Sequence, residues 1–75
     1  MAPEDFFRDA PFGSKIRYGG ERPCVVTVLF IVRTGKVPYA HGIEEGTDRR
    51  VFLTLDGARI KDANRGFFDS VEVLE

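Results

Sequence analysis

The chain holds one histidine, His41, and one cysteine, Cys24, so a Cys–His pair or a histidine-bearing metal centre has to be built around these two. Nucleophilic catalysis by a Cys–His pair needs an accessible, ionisable thiol. Cys24 instead opens the most apolar stretch of the chain, and an inert buried thiol is the expectation. His41, Glu44, Glu45 and Asp48 crowd one polar stretch, but a single histidine among loop carboxylates is not a zinc spacing, and the calcium-loop pattern is absent. No glycine-rich loop precedes a helix in the manner of a phosphate cradle. The sequence therefore predicts a non-enzyme with no catalytic residue, no metal and no cofactor.

A different constellation carries binding chemistry. Val51-Phe-Leu-Thr-Leu, Asp56-Gly57 and Ala58-Arg-Ile-Lys read as a β-hairpin turning on the Asp-Gly pair. Closing Leu55 on Ala58 gathers Val51, Leu53, Leu55, Ala58 and Ile60 on one face, and Phe52, Thr54, Arg59 and Lys61 on the other. An aromatic flanked by Arg50, Arg59 and Lys61 suits a protein interface, where aromatics and arginine dominate the energy. It also suits a single-stranded nucleic acid, where the ring stacks a base and the cations meet phosphate. The third possibility is that Phe6 and Phe7 cover Phe52 and leave the cations as a rim.

These residues need a scaffold, and its centre is Cys24 to Arg33. Five of those ten residues are Val or Ile, β-branched side chains that favour a pleated strand, and the run is too short to span a membrane. Alternation places Cys24, Val26, Val28, Phe30 and Val32 on one face and Val25, Thr27, Leu29, Ile31 and Arg33 on the other. Both faces are mostly apolar, so both should be enclosed.

The neighbouring segments supply the cover. Pro3 to Ala10 has proline at the first helical position and acidic residues in the first turn, which predicts a turn or two of helix. Its Phe6 and Phe7, with Phe12, are expected to cover the second face of the central strand. Ser14 to Tyr18 reads as a short strand, and Gly19-Gly20 as a turn. After Arg33, a four-residue loop to Lys36 would pair Val32 with Val37, and Pro38 would make that next strand an edge or near-edge one. His41 to Arg50 reads as an exposed loop, and Phe67 to Leu74 as one last strand.

Composition bounds the class. The 75 residues form one domain, 1–75, with 1–13 packing on the rest, and Cys24 has no partner for an internal disulfide. Eleven Lys and Arg against twelve Asp and Glu leave a net charge of −1, which lacks the basic excess of a dedicated nucleic-acid binder. The beginning has neither a basic region nor an apolar run of a secretory signal, so the reading is cytoplasmic, with no membrane anchor. The closing Leu74-Glu75 reads either as native sequence or as an appended dipeptide.

Val28 to Gly42, Val-Leu-Phe-Ile-Val-Arg-Thr-Gly-Lys-Val-Pro-Tyr-Ala-His-Gly, resembles the sheet segment of ribosome-dependent ribonuclease toxins of the RelE type. That resemblance implies RNA cleavage with His41 and Arg33 as the residues to test. The helical hairpin ahead of that segment has no counterpart here, and Pro38 interrupts its second strand. Arg65-Gly66-Phe67 resembles the start of the RNP1 segment of RNA-recognition motifs, but Phe68-Asp69 departs from it, and no family is assigned.

Together these features predict an all-β or β-dominated domain, a small SH3-like or OB-like barrel of about six short strands with a short N-terminal helix or extended segment. The favoured function is a small interaction module that binds another macromolecule, with a protein as the favoured partner. It would bind through Phe52, Arg50, Arg59, Lys61 and the loop carrying His41, Glu44 and Glu45. Self-association as a homodimer and single-stranded nucleic acid are the alternatives.

Overall fold

The computed structural model describes residues 1–74. Helix α1 (Pro3–Asp9) is followed by strands β1 (Lys15–Tyr18), β2 (Cys24–Val32), β3 (Tyr39–Glu44), β4 (Arg50–Asp56), β5 (Arg59–Asp62), β6 (Gly66–Phe68) and β7 (Glu72–Val73). All seven strands form one antiparallel sheet in the order β6-β5-β4-β3-β2-β1-β7. Six strands thus follow one another as a meander, and the seventh returns to pair with the first. The fold is β-dominated, and its sheet curls into a half-barrel with α1 packed in the concave side.

The core lies between that side and the helix. Phe6, Phe7 and Ala10 of the helical segment are buried with Ile16, Tyr18, Cys24, Val26, Val28, Ile31, Ala40, Val51, Leu53, Ile60 and Val71. Phe6 and Phe7 meet edge to face, with ring centroids 5.0 Å apart. A helix of seven residues is too short to persist alone, so this burial holds it. Pro3 occupies its first turn, where the missing N–H costs nothing.

β2 lies inside the sheet, between β1 and β3, but the expected enclosure of both its faces does not occur. Cys24, Val26, Val28 and Ile31 are buried, whereas Val25, Thr27 and Val32 are half-buried and Leu29 and Phe30 are exposed. The physical reason is a β-bulge. Val28 pairs with Gly42 and Phe30 with His41, so Leu29 has no partner on β3 and the alternation inverts there. Phe30 and Val32 turn outward, while Ile31 turns into the core. Arg33 follows Ile31 and reaches the helix, donating from Nε to the Phe7 carbonyl at 2.6 Å and from Nη2 to the Ala10 carbonyl at 2.7 Å. A cation is favourable at the C-terminal end of a helix, where carbonyls lack intrahelical donors. Phe6 and Phe7 therefore cover the inner face alone, and Phe12 stays exposed with the Arg33 guanidinium 5.8 Å from its ring.

Four other expectations are corrected. The connection after β2 is longer than four residues, because Val32 pairs with Tyr39. Pro38 precedes β3 and only accepts a bond, from the Leu55 N–H at 3.1 Å, so β3 runs through the middle of the sheet. His41 to Glu44, read as loop, belongs to β3, and only 45–49 connects it to β4. The predicted last strand is two strands on opposite sides of the sheet, because the curl brings β6 and β7 within reach of a three-residue link, 69–71.

The hairpin is shifted but keeps its faces. Leu55 pairs with Ile60 and Asp56 with Arg59, leaving Gly57 and Ala58 as the two-residue turn. Gly57 has φ of 61°, a conformation glycine adopts without strain. The shift moves the partner of Leu55 by two residues, an even number, so Phe52, Thr54, Arg59 and Lys61 share the outer face as expected.

Next to the bulge, Gly42 lies on the inner face between Val28 and Val51. A Cβ there would fall 2.7 Å from the Thr27 carbonyl oxygen and would also strike the Val26 side chain. Backbone cannot yield as a flexible side chain does. Gly42→Ala is expected to destabilise the fold by about 2 kcal/mol. In a thermal melt this reads as a drop of about 8–16 °C, and an unchanged midpoint would contradict the close packing.

Candidate functional site

The residues that the sequence singles out divide between the two sides of the sheet. His41, Phe52, Arg50, Arg59 and Lys61 lie on the convex side, each paired across the ladder with another outward residue. Glu44 pairs with Val26 on the concave side and is buried. Glu45 leaves the end of β3 and sits 3.8 Å from Lys15, away from the hairpin. His41 and Glu44 therefore do not converge, and among the described residues no three His, Cys, Asp or Glu side chains gather as a metal site requires. Arg33 is likewise apart from His41, since it is bound to the carbonyls that end α1.

On the convex side, antiparallel pairing sets side chains in rows. One row is Phe30, His41 and Phe52, across β2, β3 and β4. The next is Val32, Tyr39, Thr54, Lys61 and Phe67, across five strands. Cross-strand neighbours stand about 5 Å apart, close enough for rings to touch. Phe30 and His41 are stacked, with centroids 4.7 Å apart and planes 16° from parallel. Phe52 meets His41 edge to face at 4.8 Å, and Tyr39 contacts both His41 at 5.9 Å and Phe52 at 5.5 Å. Four rings thus form one interlocked cluster.

The cluster is open to solvent. Phe30 is 42% exposed, Phe52 39% and Phe67 45%, and Leu29 projects from the bulge beside them. A depression of about 120 Å³ opens in this surface, lined by Phe52, Thr54, Lys61 and Ala63. Cations predominate around it, with one carboxylate, Asp56, across the ladder from Arg59. Arg59 lies 4.3 Å from the Phe67 ring and Lys61 5.7 Å, both in cation–π range. Among the described residues, no carboxylate comes within 4.0 Å of Arg50, Arg59 or Lys61, whereas Arg8, Lys15, Arg17, Arg49 and Arg65 each have such a partner.

Phe30, Tyr39 and Phe67 belong to this surface but were not singled out by the sequence. Alternation from His41 and from Lys61 would have found Tyr39 and Phe67 once the register was known. Phe30 carries no such signal, because only the bulge turns it outward.

The concave side holds a polar network instead. Glu44 Oε2 accepts from Cys24 Sγ and from Arg65 Nη2, both at 3.1 Å, and its Oε1 accepts from Thr47 Oγ1 at 2.9 Å and Arg49 Nη2 at 3.1 Å. The Cys24 and Thr47 bonds, with the two guanidinium charges, outweigh burial and hold the Glu44 carboxyl below the usual range. Burial, reinforced by the bond to Glu44, pushes the Cys24 thiol up, so it remains a neutral donor rather than a nucleophile. Tyr18 donates to Asp62 Oδ2 at 2.6 Å, and burial followed by that bond pushes its phenol up as well. Every buried side-chain polar atom among the described residues has a partner.

No family model matches the chain, and no curated protein or solved structure matches it. No helix of the described residues is long and apolar enough to cross a membrane.

Because the Glu44 carboxyl is depressed in the folded chain, it contributes stability above the ordinary glutamate range, near pH 4.3, and loses that contribution as pH falls through the folded value. Glu44→Gln removes the charge while keeping the shape. In urea unfolding the wild type should exceed Glu44→Gln clearly at pH 7, and the gap should narrow below about pH 4. A gap independent of pH would mean that the carboxylate charge contributes nothing.

Proposed function

We propose that this chain is a non-enzymatic interaction module whose convex sheet face docks on another protein. The observation that carries the reading is the cluster of exposed Phe30 and Phe52 with half-buried Tyr39 and His41, contiguous with exposed Phe67 and rimmed by Arg50, Arg59 and Lys61. Aromatic anchors with an arginine-bearing rim are the composition that concentrates binding energy in protein interfaces. An apolar patch of this kind exposed on a small domain calls for a partner.

Ring orientation favours a protein over a nucleic acid. A base-stacking platform needs free ring faces. Here a face of Phe30 and a face of His41 cover each other, and Arg59 lies over Phe67. What the cluster offers outward is a continuous apolar surface suited to side chains. Charge gives the same preference, since three cations on a chain of net charge −1 are few for tracking a phosphate backbone.

Self-association through the convex face is the alternative occupant. Sedimentation is expected to find a species of 8.4 kDa, and one of twice that mass would assign the face to a second copy. Phe52→Ala combined with Arg59→Ala should abolish capture of a protein partner from a lysate of the source cells. The melting temperature should hold within about 3 °C, as for surface changes below 0.5 kcal/mol. Equal capture by wild type and double variant would remove the proposal.

A further inference from the structure

We infer that the segment docking on the convex face is an extended acidic peptide, with an aliphatic side chain at its centre and carboxylates two residues to either side. The inference rests on the docking proposed above and adds the chemistry of the partner.

The central position follows from the depression beside Phe52. Phe52, Thr54, Lys61 and Ala63 line it, and its volume of about 120 Å³ admits one aliphatic side chain rather than a ring system. Phe52 carries the apolar contact, and Lys61 puts a cation on the rim of the same depression.

The flanking positions follow from the strand repeat. Arg50 precedes Phe52 by two residues on β4, so it projects from the same face about 7 Å away along the strand. On the other side, Lys61 pairs with Thr54, and Arg59 pairs with Asp56 one row beyond. Cations therefore stand on both sides of the depression along β4. An extended peptide repeats its own side chains on one face at the same interval of about 7 Å. With an aliphatic group seated beside Phe52, the residues two before and two after come over Arg50 and over Lys61 with Arg59. Carboxylates at those positions supply counter-charge to Arg50 and Lys61, neither of which has a carboxylate within 4.0 Å among the described residues, while Arg59 stands across the ladder from Asp56.

The test is an NMR titration of the full ¹⁵N-labelled chain with a synthetic peptide, Ser-Glu-Ser-Leu-Ser-Glu-Ser with both ends blocked. Three controls run beside it: the same peptide with Gln for Glu, the same with Lys for Glu, and single-stranded oligo(dT). The acidic peptide should give saturable shifts at Arg50, Phe52, Thr54, Lys61 and Ala63, with affinity at least tenfold above the Gln and Lys peptides. Lys61→Glu with Arg50→Glu, whose other resonances should stay in place, is expected to reverse the order and favour the Lys peptide. Equal binding of the acidic and Gln peptides at these residues would overturn the acidic partner while leaving protein docking standing. Shifts at this face with oligo(dT) and none with any peptide would overturn both. An acidic peptide that binds only the concave side, or nowhere, would overturn the inference.

Discussion

Leu29 is one residue more than β3 can match, and the two sides of the sheet take their composition from that surplus. Side chains on a strand alternate with a period of two, so one inserted residue reverses every assignment beyond it. Before Leu29 the even-numbered residues of β2 fill the core, and after it the odd-numbered ones do. Without the bulge Phe30 would point at the helix, and Ile31 would lie in water. Arg33 would also project away from the Phe7 and Ala10 carbonyls that it now holds. The same irregularity therefore secures the helix inside and builds the aromatic cluster outside. Gly42 is its counterpart on β3, where the inner side chains and the Thr27 carbonyl leave no room for a Cβ.

Closure of the half-barrel is achieved by side chains rather than by backbone pairing. β1 and β5 are not neighbours in the sheet, yet the Tyr18 hydroxyl reaches Asp62, and its ring lies 5.0 Å from that of Phe68. Arg65 extends the seal, donating to the Arg22 carbonyl and to Glu44. Buried carboxylates are costly unless fully partnered. Glu44 meets that condition by receiving four donors, three of them from segments beyond β3 and one from β2. A side chain that the sequence placed on an exposed loop thus serves the interior, and the convex face loses it.

What the residues disclosed and what they withheld follow the range of the forces involved. Local chemistry was readable: the β-branched run of β2, the Asp-Gly turn, proline at the start of α1 and the alternation that sends Phe52, Arg59 and Lys61 to one side. The hairpin faces survived an error in register because parity alone decides them. The bulge was hidden because nothing in Val28-Leu29-Phe30 distinguishes an inserted residue from a regular one; only the pairing with Gly42 and His41 on β3 reveals it. The split of the last strand was hidden for a related reason. Only the curl of the whole sheet brings β6 and β7 near enough for three residues to join them.

That split has a bearing on the behaviour of the chain in crowded solution. The lateral strands of an open sheet display unsatisfied amides and carbonyls that template the addition of further chains. Here these strands are three and two residues long, so an incoming segment finds no ladder of useful length at either border. Fibrillar polymerisation is thereby starved of its seed, even though the long central strands carry the β-rich sequences from which such growth ordinarily starts.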